Sequence, residues 1–96
     1  MHIVKTSLPN KKIAKQMANK LISFSLAACV HYYPISSVFK WEGKICNEKE
    51  YILEAKTSKP REACKYIEKN HPYSCPMIYI LSPNKVLEKY EKWVKK

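Results

Sequence analysis

From Ala27 to Thr57 the chain carries no helical stripe and only one sharp turn, and this constrains its fold more than any other feature. Ala27 to Trp41 is rich in Val, Tyr, Ser and Phe, which suit a pleated strand. Pro34 is expected to bend that strand, because proline cannot donate to a ladder. Glu42-Gly43-Lys44 reads as the turn, with Gly43 supplying a positive φ. A second strand then runs to Thr57. Its later part sends Tyr51, Leu53 and Ala55 to one face and Glu50, Ile52, Glu54 and Lys56 to the other. A strand from Ala27 to Trp41 would span roughly 50 Å at ~3.3 Å per residue. A compact domain of this size has a radius of gyration near ~12 Å. The hairpin must therefore bend or protrude. A protruding ribbon bearing Val38, Phe39, Trp41 and Ile45 favours pairing with another chain, so a homo-oligomer is predicted.

The flanking segments supply the remaining elements. Ile3 to Thr6 fits a first strand. Asn10 can cap a helix whose stripe is Ile13, Met17, Leu21 and Phe24, predicted to run to about Leu26. Pro60 suits the opening of a second helix, with Ala63, Cys64 and Ile67 on its apolar face and Asn70-His71-Pro72 at its end. Met77 to Leu81 is wholly apolar and is predicted to be a buried strand. Asn84 can cap a last helix carrying Val86, Leu87, Tyr90, Trp93 and Val94. The order βαββαβ plus a C-terminal helix makes an α+β, ferredoxin-like sandwich of residues 1–96 with an extended β2–β3 hairpin: one four-stranded sheet with two helices on one face.

Length and composition narrow the function. The chain has 96 residues, enough for one domain with a small core. No run approaches the ~20 apolar residues of a membrane span. Met1-His2-Ile3-Val4-Lys5 begins no apolar run of signal-peptide length, so a cytoplasmic protein with no membrane partner is expected. Cys29, Cys46, Cys64 and Cys75 form no Cys-x-x-Cys pair, which argues against structural zinc, and reduced thiols are expected. The net charge of +10 comes from 17 lysines and a single arginine, Arg61. The lysines are spread from Lys5 to Lys96, and base readout favours arginine, so nucleic acid is not the expected partner. No aspartate and only one glycine are present, which excludes a Ser-His-Asp set and a Gly-rich phosphate loop. No catalytic residue is assigned, and the chain is not read as an enzyme.

The residues themselves resemble a known family. Leu26-Ala27-Ala28-Cys29-Val30 is similar to the "LAACV" signature of the CutA divalent-cation tolerance proteins. Thr6 and Pro9 match that family's opening. Pro34, Ser36-Ser37 and Trp41-Glu42-Gly43-Lys44 follow in its order, then Lys56-Thr57, His71-Pro72-Tyr73 with Pro76, and Tyr90 with Trp93. The resemblance covers almost the whole chain. It implies a homotrimer whose long hairpins pair across subunits, an association with metal tolerance and copper binding, and no established enzymatic reaction. It also implies a likeness to the trimeric PII signalling proteins, which bind small ligands in clefts between subunits. Ile35 stands where the family usually has glycine, His31 where asparagine is frequent, and Met77 where glutamate follows Pro76. Ser74-Cys75 replaces a pair whose first member is commonly acidic or an amide. Cys75 adds a soft donor, which favours copper over magnesium or calcium.

Two sets of candidate residues follow. Cys29, His71 and Cys75 are candidate ligands for a copper ion or another divalent metal, and no organic cofactor is expected. Cys29 reads more readily as a buried small hydrophobe, and His71 equally as a cap on the end of the second helix. Trp41, Glu42, Lys44, Lys56 and Tyr73 are candidates for an intersubunit ligand cleft. Their plainer roles are a hairpin tip anchored by Trp41, a partly solvated lysine and a packed aromatic ring. His2 and His31 carry no role in this reading. Two functions compete: a trimeric metal-binding tolerance protein, and a PII-like signalling trimer that takes a small metabolite or a partner protein at its clefts.

Overall fold

The computed structural model describes residues 1–96. Along the chain lie β1 (His2–Leu8), α1 (Lys11–Ser23), β2 (Cys29–Trp41), β3 (Lys44–Thr57), α2 (Pro60–Lys69), β4 (Ile78–Leu81) and α3 (Glu88–Lys95). The four strands form one sheet in the order β2-β3-β1-β4, with every neighbouring pair antiparallel. This is the ferredoxin-like α+β sandwich that the element order predicts.

Alternation along the strands decides where the core lies. Val4, Thr6 and Leu8 of β1 are paired with Ala55, Leu53 and Tyr51 of β3. Val4, Leu8, Leu53 and Ala55 are fully buried on this face. Ala14 and Leu21 of α1 and Ala63 and Ile67 of α2 meet them there and are themselves fully buried. The opposite face of the sheet carries no such helical layer.

Helix α1 starts where its cap residue dictates. Asn10 is extended, and its Oδ1 accepts the Ile13 amide at 2.9 Å. The helix stops at Ser23, short of the predicted Leu26. Ser25 turns into the left-handed region at φ 56. The Leu26 amide then donates to the Leu21 carbonyl at 2.8 Å and the Ser25 amide to that of Ile22 at 3.0 Å. This is a Schellman cap with serine where glycine is usual. Leu26 packs as part of the cap, and the glycine that normally announces such an ending is missing from the sequence. Thr57 braces the same corner, since its hydroxyl donates to the Leu26 carbonyl at 2.6 Å and accepts the Lys59 amide at 2.8 Å.

Two further expectations need correction. Strand β4 is not buried: Tyr79, Ile80 and Leu81 are 41%, 41% and 46% exposed. It is an edge strand paired with β1 alone, and an apolar run does not distinguish an interior strand from an edge awaiting cover. Helix α3 is not capped by Asn84; it begins at Glu88, with no side-chain cap, so Val86 and Leu87 precede it. Only Val94 of this helix is buried.

The hairpin protrudes. β1 covers β3 only as far as Tyr51, so Lys44 to Glu50 pair solely with Ile35 to Trp41. Glu42 at φ 51 and Gly43 at φ 78 make a two-residue turn with both residues left-handed, the type I′ geometry that matches strand twist. Strand β2 runs unbroken through Pro34, which its edge position tolerates. The molecule is 46 Å long with a radius of gyration of 14.1 Å. That exceeds the compact expectation of about 12 Å for this length.

The strained serine yields a test. Ser25→Gly should raise the free energy of unfolding by about 1 kcal/mol, because glycine enters the left-handed region without a Cβ penalty, whereas Ser25→Val should lower it by at least as much. Urea denaturation of the three proteins reads both signs.

Candidate functional site

The uncovered sheet face bears a polar cluster. Pairing places Cys29, Lys56 and Ile3 in one cross-strand row and His31, Glu54 and Lys5 in the next. Glu54 is the hub. Its Oε2 accepts the Tyr33 hydroxyl at 2.8 Å and lies 3.4 Å from Lys5 Nζ, while Oε1 lies 3.8 Å from Lys56 Nζ. Burial works against the Glu54 charge, but the Tyr33 hydroxyl and the Lys5 ammonium outweigh it and hold the carboxyl below its ordinary range. The same hydrogen bond from Tyr33 to Glu54 raises the Tyr33 phenol.

Beyond Glu54, Lys56 Nζ is hydrogen-bonded to His31 Nδ1, and His31 Nε2 lies 3.7 Å from Cys29 Sγ. Burial raises the Tyr90 hydroxyl above its ordinary value, and the Cys29 sulfur adds to this.

A groove of about 990 Å³ runs between the ribbon and residues 72–77. Phe39, Trp41, Glu48, Glu50, Tyr73 and Cys75 are among its walls. His71 fixes the 72–77 segment to β1. Its Nε2 donates to the Ser7 carbonyl at 2.9 Å and lies 3.0 Å from Thr6 Oγ1, while Nδ1 accepts the Tyr73 amide at 3.1 Å. A carbonyl can only accept and an amide can only donate, so these partners assign the neutral tautomer. Burial lowers the His71 imidazole below its ordinary value, against smaller opposing effects of the Ser7 bond and the Glu50 charge. The Tyr73 hydroxyl donates to Glu50 Oε2 at 2.7 Å; burial first, then that bond, raises the phenol well above its ordinary value.

The predicted residues fall into three places. Trp41, Tyr73 and Cys75 share the groove, Glu42 and Lys44 lie exposed at the hairpin tip, and Lys56 sits at the far end with Cys29. Cys29 is half-buried and Cys75 exposed. The His71 ring does not cap α2, although its amide donates to the Glu68 carbonyl at 3.4 Å; the side-chain cap is Asn70, through its Nδ2 to the Tyr66 carbonyl at 2.9 Å. Within one subunit no three His, Cys, Asp or Glu side chains converge on a metal position, so Cys29, His71 and Cys75 do not meet there. Both His71 nitrogens already hold partners from the chain. The residue that sequence reading set aside is His31. The signal was available: two positions after Cys29 on a strand, it must share that cysteine's face.

The comparisons with known proteins agree with this architecture. The family model described as CutA1 divalent ion tolerance protein matches residues 2–96. The chain belongs to the CutA1 divalent ion tolerance family. It is 34% identical over 97 residues to the divalent-cation tolerance protein CutA of Thermotoga maritima, covering 99% of this chain and 96% of that one. It is 33% identical to the chloroplastic CutA of Arabidopsis thaliana across 97% of this chain. The chain spans about half the length of the plant chloroplastic relatives it matches, 53% for Arabidopsis and 54% for Oryza sativa. Among solved structures, the PII-like protein CutA from Nostoc superposes with a TM-score of 0.92 at 30% identity, over 99% of this chain and 94% of that one. CutA1 from Ehrlichia chaffeensis gives the same TM-score and identity, over 97% and 90%.

The His71 clamp has a pH signature. Its imidazole is lowered in the folded protein, so the unfolded chain binds the extra proton more readily. The clamp's stabilisation is present above the ordinary imidazole value of 6.5 and is lost as pH falls through it towards the folded value. Urea midpoints between about pH 7.5 and pH 5 should therefore drop more steeply for the native chain than for His71→Gln.

Proposed function

We propose that this CutA1-family chain is a homotrimeric, metal-binding tolerance protein of the cytoplasm and not an enzyme. One observation carries the oligomeric part of this reading, with the copy number of three taken from the family resemblance: the outer half of the β2–β3 ribbon has no third strand, yet it exposes Val38 by 69%, Trp41 by 52% and Ile45 by 72%. Exposed apolar side chains on an open-edged ribbon are stabilised by a second chain. In this assembly the hairpins knit together, and the groove lined by Trp41, Tyr73 and Cys75 becomes a cleft between subunits. Glu42 and Lys44 at the tip then face a neighbouring subunit.

The metal reading is supported by donor chemistry. The chain has four free cysteines, and one of them, Cys29, lies 3.7 Å from the His31 imidazole; such donors suit copper and other soft ions better than magnesium or calcium. Free thiols also fit a reducing compartment. No helix is long and apolar enough to cross a membrane.

A second reading draws on the groove and on the likeness to the Nostoc PII-like protein. In this reading the trimer is a signalling or interaction module that takes a small metabolite or a partner protein in the cleft, and metal binding is incidental. A thermal-shift screen of nucleotides and metabolites separates the two readings. A hit in metal-free protein supports the signalling module, and a shift with copper alone supports the tolerance protein.

Light scattering should give three times the 11.3 kDa chain mass, with and without copper ions. Paired Trp41→Asp and Ile45→Asp substitutions at the tip should lower the mass towards a single chain at micromolar concentration. A well-folded native particle of one chain mass would overturn the trimer and the shared clefts with it.

A further inference from the structure

We propose that Cys29 and His31 form a two-ligand chelate on β2 for a soft, thiophilic metal ion, with Cu(I) as its probe. The site rests on the metal-binding reading and gives it an address.

Strand geometry brings the two donors together. Cys29 and His31 are one pleat apart on the same face of a regular edge strand. Their side chains lean towards each other until Sγ and Nε2 lie 3.7 Å apart. Bonds of zinc-like length, about 2.3 Å to sulfur and 2.0–2.1 Å to nitrogen, opened to an angle between tetrahedral and trigonal, separate the two donors by roughly 3.5–3.8 Å. An ion can therefore bridge them with little movement of either side chain.

The surroundings supply the rest. In the metal-free chain Lys56 Nζ can only donate to His31 Nδ1, which leaves the imidazole proton on Nε2 facing the sulfur. Loading an ion releases the thiol proton to solvent and moves the imidazole proton to Nδ1. Lys56 then withdraws, and Glu54, directly opposite His31 and with Oε1 already 3.8 Å from Lys56 Nζ, can accept from Nδ1. A carboxylate behind a ligating imidazole orients the ring and strengthens its donation. Lys5 and Tyr33 hold Glu54 in place.

The donors set the selectivity. One thiolate and one imidazole favour Cu(I) over the oxygen-seeking Mg²⁺ and Ca²⁺. Within one subunit Cys29 is half-buried and His31 exposed, so the remaining coordination positions are open to a further donor. His71 lacks this freedom, because both of its nitrogens are engaged by β1 and Tyr73.

The test titrates reduced, metal-free protein with Cu(I) against a chromogenic Cu(I) chelator. The native chain should bind one ion per subunit. Cys29→Ser should abolish that binding, and His31→Asn should weaken it by about ten-fold or more. Cys64→Ser should bind as the native chain does. X-ray absorption of the loaded native protein should show both a sulfur and an imidazole nitrogen on copper, a readout that depends on no variant folding. Native-like affinity in His31→Asn, or copper ligated by sulfur alone, overturns this site. If binding then depends on Cys75, the wider metal-binding reading survives. Absence of any binding by the native chain overturns both.

Discussion

The fold hangs on the ladder between β2 and β3, which runs without interruption from Cys29 opposite Lys56 to Trp41 opposite Lys44. Its inner half is an ordinary part of a four-stranded sheet, covered by α1 on one face. Its outer half is a two-stranded ribbon, and such ribbons are marginal in water without further cover. One element therefore belongs to two environments. The inner half is stabilised by Leu53 and Ala55 in the core, whereas the outer half carries apolar surface that the chain itself does not bury. The proposed trimer resolves that imbalance and turns the groove beside the ribbon into a shared cleft.

Most of the fold was legible because period and punctuation agreed. Asn10 before an apolar helical stripe, Pro60 at the start of α2, and Gly43 in a two-residue turn each specify one local structure. The failures share a cause, which is that local sequence does not report what covers a segment. Ile78 to Leu81 looks like an interior strand, but the topology leaves it at an edge. Leu26 continues the apolar stripe of α1, but Ser25 turns the backbone into the left-handed region with no glycine to announce it. Asn84 is a competent cap residue that this chain leaves unused.

The candidate residues were legible as types and less so as a constellation. Reading the strands by their alternation places Glu50, Ile52, Glu54 and Lys56 on the uncovered face, which is where they lie. Which partners meet there depends on register, and register between β2 and β3 is set by the turn at Glu42-Gly43 many residues away. That distant turn places His31 opposite Glu54 and Cys29 opposite Lys56. His71 shows the converse. Its sequence context suggests a helix end, but its ring is drawn towards Thr6 and Ser7, distant in sequence and adjacent in space.

The type I′ turn also orders events in time. Hairpins with such turns close within about 1–10 μs, whereas the docking of subunits takes milliseconds to minutes and depends on concentration. In the proposed trimer a newly made ribbon would therefore wait, bare-edged, between those two steps. Lys40, Lys44 and Lys49 stand exposed along that stretch, interleaved with Val38, Trp41 and Ile45. Glu42 and Glu48 are exposed on the same stretch, so the free ribbon is dressed in charge of both signs. Charged side chains on an open edge keep it hydrated and disfavour any pairing that sets like charges opposite one another.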